Sequence, residues 1–420
     1  MGEVLFFCAL KSNLRIYLRI PERHVPGPDP GYGTISVDIT PPLSVTLPPS
    51  RATVVYTGGV LTPKEHNITR WNIDELADPT GPHKMRVAFV NLRGQHGNPM
   101  TSARLFDPHY DSEDLAVAVS YLHTLFPESP LIGHSFSFGG PILTRYMAQM
   151  GPKCPLHAAV LFAPCYNLAR ALRRFHENKV VRPGSVYSAN QIRKMCYSVE
   201  EKFARAGYPL DKLPQPKGPW VADLYAVLMP YLTGRSYAEF TESLIRDLEK
   251  GIPEITVPTF YIGSYKDDST GSETRLHVAI EKNPNIIRLM SQSRAHLGYY
   301  SGLLKPKRWA QKPMFEFIAV RNFAISLTFR PWRRSRFEKL TQLNGISTLM
   351  VSRFSTRHYG RKITLMPSRV LRVQESTSVM RNETQQMRRE EICIPLPFIH
   401  LRRDSLRTYT LPGLYCKSLL

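Results

Sequence analysis

Short apolar runs closed by glycine or polar residues recur along this chain, and between them apolar residues return every three or four positions. Ala52-Thr53-Val54-Val55-Tyr56, Met85-Arg86-Val87-Ala88-Phe89-Val90, the run that opens at Pro130-Leu131-Ile132 and Ala158-Ala159-Val160-Leu161-Phe162 read as buried strands. A helix is expected around Ile68 to Leu76, and Leu115, Val119, Leu122 and Phe126 mark another, with Asp111 as its N-cap and Pro127 as its stop. Continuous apolar strands alternating with helices predict an α/β fold whose mainly parallel sheet is covered on both faces. Residues 1–50 read as an N-terminal extension with edge strands, broken by Pro26-Gly27-Pro28-Asp29-Pro30-Gly31. From 166 to 253 the strand pattern lapses and helical stripes such as Phe240, Leu244 and Leu248 take over. That insertion is expected to act as a cap, with sheet-covering helices as the alternative. Strands resume at Val257 to Gly263 and Asn285 to Met290, and the domain is drawn as 51–318.

One strand-to-helix junction concentrates chemistry. Pro130 to Phe136 runs into Ser137-Phe138-Gly139-Gly140 and then into the helical pattern opened by Pro141. A nucleophile on so tight a turn needs small residues two before and two after it, and Ser135 and Gly139 occupy those places around Ser137. A serine hydroxyl is a poor nucleophile until a histidine takes its proton, and that histidine needs a carboxylate to orient it. Two later polar loops supply both: Ser264-Tyr265-Lys266-Asp267-Asp268 after one strand and Ser291 to Tyr299, containing His296, after the next. In a parallel sheet such loops emerge at the same edge, so residues far apart in sequence can meet there. Another strand ends in Gly58-Gly59, which is either an ordinary turn or a loop whose bare backbone presents N–H groups.

Composition changes this picture little over the first three hundred residues. The chain of 420 residues carries a net charge of +21, but residues 301–420 hold 23 Lys+Arg against 7 Asp+Glu. The stretch 319–420 therefore reads as a basic, irregular tail with Pro331-Trp332-Arg333-Arg334-Ser335-Arg336 as its densest cluster, a poorly ordered extension or alternatively a polyanion-binding arm. The six cysteines form no CxxC pair and no zinc-ligand spacing, so reduced thiols and no metal site are expected. Val4 to Leu10 is too short to span a bilayer, and no signal peptide is evident. A cytoplasmic protein, or one peripheral to an intracellular membrane, is expected.

The stretches Asn91-Leu92-Arg93-Gly94, Thr101 to Leu115, Ser135 to Tyr146 and Ala295-His296-Leu297-Gly298-Tyr299 resemble the YheT-like branch of the α/β-hydrolase-domain family, which includes fungal medium-chain ester synthases and esterases. The resemblance covers roughly residues 15–318. It implies an α/β-hydrolase fold and a serine carboxylic ester hydrolase or acyltransferase, free of metal and organic cofactor, acting on lipid-like acyl esters. By that resemblance Ser137 is the nucleophile, His296 the general acid/base and Asp267 the acid, with Asp268 beside it where the family has proline. Gly59 and Phe138 fall where the family's oxyanion-hole amides lie. Expected partners are an acyl ester or lipid and, peripherally, a membrane; no specific nucleic acid is expected. Ser135, standing where the family has glycine, keeps open an inactive hydrolase fold serving as a binding module.

Overall fold

The structure, a computed structural model, describes residues 3–10, 13–21, 31–328, 361–365 and 370–375, leaving out within the long stretch 106, 108–110, 180–181, 209, 214–220, 266, 268–273, 293–295, 298 and 302–306. Asp268, the cluster 331–336 and most of the tail drawn as 319–420 lie outside the described residues.

The chain opens with β1 (Glu3–Leu10), β2 (Asn13–Pro21) and β3 (Tyr32–Thr40). Strand and helix then alternate through β4 (Thr53–Thr57), α1 (Asn67–Ala77), β5 (Arg86–Asn91), α2 (Asp111–Leu125), β6 (Leu131–Phe136), α3 (Gly139–Met150) and β7 (Leu156–Phe162). Among the described residues five helices follow without a strand: α4 (Leu168–Glu177), α5 (Arg182–Tyr197), α6 (Glu200–Arg205), α7 (Val221–Thr233) and α8 (Tyr237–Gly251). The alternation resumes with β8 (Thr259–Ser264), α9 (Thr274–Lys282) and β9 (Ile286–Ser291), then the short pair β10 (Tyr300–Ser301) and β11 (Lys307–Arg308), and α10 (Gln311–Thr328). The strands β12 (Arg361–Leu365) and β13 (Val370–Glu375) come last.

Among the described residues one sheet has the order β1-β2-β3-β5-β4-β6-β7-β8-β9-β13-β12. From β5 to β13 every neighbouring pair is parallel, while β1, β2, β3 and β12 join antiparallel. The central strands are buried along their whole length, which is why they read as unbroken apolar runs. Successive residues point to opposite faces and feed two cores. On β4, Val55 enters the core that also holds Leu115, Ile142, Met147 and Leu244, whereas Val54 and Tyr56 enter the core of Ile73, Leu76, Met314 and Ile318. Helices α2, α3, α8 and α9 thus cover one face and α1 and α10 the other. This is the α/β-hydrolase fold, with β6, the strand that leads into Ser137, at the centre of the sheet.

The five-helix insertion divides in two. Helix α8, opened by a capping box in which Ser236 and Glu239 each accept from the other's backbone N–H, packs on α3 and α9 and so covers the sheet. Helices α4, α5 and α7 pack on one another. Asp111 differs from its reading as an N-cap. It is the first residue of α2, and its carboxylate accepts from the Asp107 backbone N–H at 2.6 Å inside a buried cluster with Arg104 and Asp114. Burial and the adjacent Asp114 carboxylate hold the Asp111 carboxyl well above the usual range.

Candidate active site

Strand β6 ends at Phe136 and α3 begins at Gly139, leaving two residues to turn the chain, and Ser137 takes φ 52° to do it. A left-handed serine costs about 1–2 kcal/mol, so it persists only where its surroundings fix it. Three backbone bonds do so: the Ser137 N–H donates to the Phe162 carbonyl at 3.1 Å, and the Ser137 carbonyl accepts from Gly140 at 3.0 Å and Cys165 at 2.9 Å. The glycines after it are dictated by close approach. A Cβ on Gly139 would lie 2.6 Å from the Thr57 carbonyl oxygen and 2.7 Å from that of Gly58, and one on Gly140 would lie 2.2 Å from Pro164 Cβ. Ser135 is buried, and its hydroxyl donates to the Val160 carbonyl of β7 at 3.4 Å, so the strand accommodates serine in place of glycine.

The loops after β8 and β9 bring the other two residues to this turn. His296 Nε2 lies 2.9 Å from Ser137 Oγ, and His296 Nδ1 lies 2.9 Å from Asp267 Oδ2. The Asp267 side chain is fully buried, while the imidazole keeps 13% exposure. An ionised carboxylate can only accept, which places the ring proton on Nδ1 and leaves the Nε2 lone pair facing the serine hydroxyl. Asp267 reaches His296, and Asp268 lies outside the described residues. Cys165, one peptide bond past Pro164, donates its backbone N–H to the Ser137 carbonyl, and burial together with the nearby Asp267 carboxylate pushes its thiol up.

No family model matches the chain. The phospholipase ABHD3 of Bos taurus is 24% identical over 220 residues, 52% of this chain and 52% of that protein. The medium-chain fatty acid ethyl ester synthase/esterase 2 of Saccharomyces cerevisiae is 24% identical over 255 residues, 56% of this chain and 55% of that protein. The chain is similar to these α/β-hydrolase-type enzymes. The chain spans about half the length of the curated relatives it matches. Among solved structures, the thermostable carboxyl esterase from Bacillus coagulans in complex with glycerol matches at 12% identity and a TM-score of 0.42, covering 74% of this chain and 99% of that one. The resemblance read from the segments around Arg93, Ser137 and His296 is borne out by the two relatives.

Gly59 follows β4, and the contacts of Gly139 with Thr57 and Gly58 lay that loop across the start of α3, where Phe138 stands. Two arrangements escaped sequence reading. The Asn91-Leu92-Arg93-Gly94 stretch carries Arg93 into a buried two-pronged pair with Asp114, at 2.6 Å and 2.9 Å. Its neighbour Gln95 accepts the Leu61 backbone N–H through Oε1 at 3.0 Å. No sequence signal announces either bond, because each joins segments that only the fold brings together.

Proposed function

We propose that the chain is a serine carboxylic ester hydrolase or acyltransferase that works on lipid-like acyl esters through an acyl-enzyme on Ser137. The observation that carries the reading is the continuous relay from Ser137 Oγ to His296 Nε2 and from His296 Nδ1 to Asp267 Oδ2, each step 2.9 Å. Ser137 Oγ attacks the ester carbonyl carbon while His296 takes its proton, and Asp267 stabilises the imidazolium. The carbonyl oxygen gains negative charge, which the backbone N–H groups of Gly59 and Phe138 and the N-terminus of α3 are suited to receive. Collapse expels the alcohol, which leaves with the proton held by His296. Water or a second alcohol, deprotonated by the same imidazole, then attacks the acyl-enzyme and frees Ser137.

The names of the relatives, a phospholipase and an ethyl ester synthase/esterase, support a lipid-like acyl ester as substrate and are compatible with either acceptor. Among the described residues no helix is long and apolar enough to cross a membrane. The purified protein is expected to release nitrophenol from acyl esters and to label with a fluorophosphonate probe, and Ser137→Ala to do neither. Asp267→Asn is expected to keep the fold while kcat drops by roughly 10⁴. Added ethanol separates the two outcomes: ester formed from the acyl group marks transfer, free acid alone marks hydrolysis. The alternative of an inactive binding module predicts no labelling of the parent, and labelling undiminished in Ser137→Ala would remove Ser137 from the nucleophile's role.

A further inference from the structure

The turn that carries Gly59 is strained at a leucine. Residues 59–62 are closed by the Thr62 N–H donating to the Gly59 carbonyl at 3.2 Å, and Leu61, the third residue of the turn, sits at φ 50°. A β-turn with positive φ at its third position ordinarily carries glycine or asparagine there, because a Cβ crowds the following carbonyl. Leucine in that conformation needs holding from outside the turn. The holding contact is Gln95, whose Oε1 accepts the Leu61 N–H at 3.0 Å across 34 residues of sequence.

Gln95 is itself anchored firmly enough to act as a strut. Its N–H donates to the Leu92 carbonyl at 3.1 Å and its carbonyl accepts from Asn98 at 3.0 Å. The Asn98 side-chain amide donates to the Asn91 and Leu92 carbonyls, both at 2.8 Å. Arg15, paired with Asp38, donates to the carbonyl of the next residue, His96, at 2.6 Å. Gln95 is 3% exposed, and its Nε2 has no hydrogen-bond partner among the described residues. Burying an unpaired amide nitrogen is unfavourable, so an apolar side chain of that length would fill the space at less cost. What glutamine adds is the acceptor. On the far side of the turn, a Cβ on Gly59 would lie 2.9 Å from the Phe136 ring, so Gly59 has little room to shift without disturbing the elbow strand.

We propose that Gln95 is a positioning residue that holds the strained 59–62 turn, and with it the Gly59 N–H, where the developing oxyanion is received. The proposal rests on the reading of Ser137 as nucleophile and Gly59 as a donor. Gln95 touches neither substrate nor serine; it acts through Leu61. Because its work is to offset the strain at Leu61, it becomes dispensable once residue 61 can adopt φ 50° unaided, as glycine does.

A double-mutant cycle tests this with p-nitrophenyl butyrate as probe, reading kcat, KM and thermal melting for the full chain. Gln95→Leu is expected to lower kcat roughly tenfold to a hundredfold, below the cost of deleting an oxyanion donor outright, with KM within about twofold. In the Leu61→Gly background the same Gln95→Leu change is expected to cost less than about threefold. Should Gln95→Leu fail to fold, Gln95→Met, unbranched and lacking the acceptor, gives the same reading. A Gln95 variant that melts like the parent and keeps kcat within about threefold overturns the positioning role. So does an equal loss in both backgrounds, which would mean that strain at Leu61 is not the link. A parent that neither turns over the ester nor labels with fluorophosphonate would instead refute the Ser137 reading itself.

Discussion

At the scale of single residues, the histidines divide by what surrounds them. His296 keeps a polar partner on each ring nitrogen, whereas His134, on the same strand as the elbow, is fully buried with Nε2 against Met314 Sδ at 3.0 Å and its ring stacked on Tyr56 at 4.3 Å. Burial lowers the His134 pKa from 6.5 to about 3. The folded protein therefore keeps this ring neutral while the unfolded chain takes up a proton below about 6.5, so stability is lost as pH falls from about 6.5 towards about 3. His96 and His277, each lowered by burial to about 4, add to the same trend. His134→Phe retains an aromatic ring against Tyr56 and removes the titration. Urea unfolding at several pH values between 6 and 4 is expected to show a shallower decline in the variant, by up to about 1.4 kcal/mol per pH unit. Parallel lines for parent and variant would show that His134 does not carry the acid sensitivity.

At the scale of elements, the site depends on how closely the exit of β4 crosses the start of α3. The Cβ that alanine would bring to Gly139 meets two carbonyl oxygens, those of Thr57 and Gly58, and backbone cannot swing aside as a side-chain tip can. Gly139→Ala is expected to destabilise the protein by about 1–3 kcal/mol through overpacking, and to lower kcat further than stability alone explains because the Gly58-Gly59 turn is displaced. Denaturant midpoints and ester turnover on the same samples separate the two effects; a variant with full turnover would mean that the turn moves without consequence. The same contrast explains what the sequence could reveal. Buried parallel strands announce themselves as apolar runs, and each of β4, β6, β8 and β9 hands over to a polar or glycine loop, so the fold and the neighbourhood of Ser137, Asp267 and His296 were readable in order. Between Asp267 and Asp268 only register could choose, and register is a property of the paired strand. The Gln95 bond to Leu61 and the Arg93 pair with Asp114 were invisible because ordinary polar residues gain their partners across 34 and 21 positions of chain.

At the scale of the whole molecule, the strand that leads into the His296 loop is not an edge. Strand β13 pairs parallel with β9 from Val370 opposite Arg288 to Val373 opposite Ser291, and β12 pairs antiparallel with β13 beyond it. The part of the chain after Thr328 therefore contributes to the sheet next to the candidate site, even though its composition reads as a basic extension. Residues 376–420 lie outside the described residues and hold 7 Lys+Arg against 4 Asp+Glu. Two truncations distinguish these contributions. A chain ending at Glu375 keeps β9 paired and is expected to match the parent in melting temperature and ester turnover. A chain ending at Thr328 leaves one side of β9 with unpaired N–H and C=O groups, a template for association with other strands. A loss of a few kcal/mol there corresponds to a fall of roughly 5–10 °C in melting temperature, accompanied by aggregation at concentrations the longer chain tolerates. Differential scanning calorimetry and light scattering on the two chains check this. Equal melting of both would mean that β12 and β13 do not stabilise the sheet, and equal loss in both would assign the effect to residues beyond Glu375.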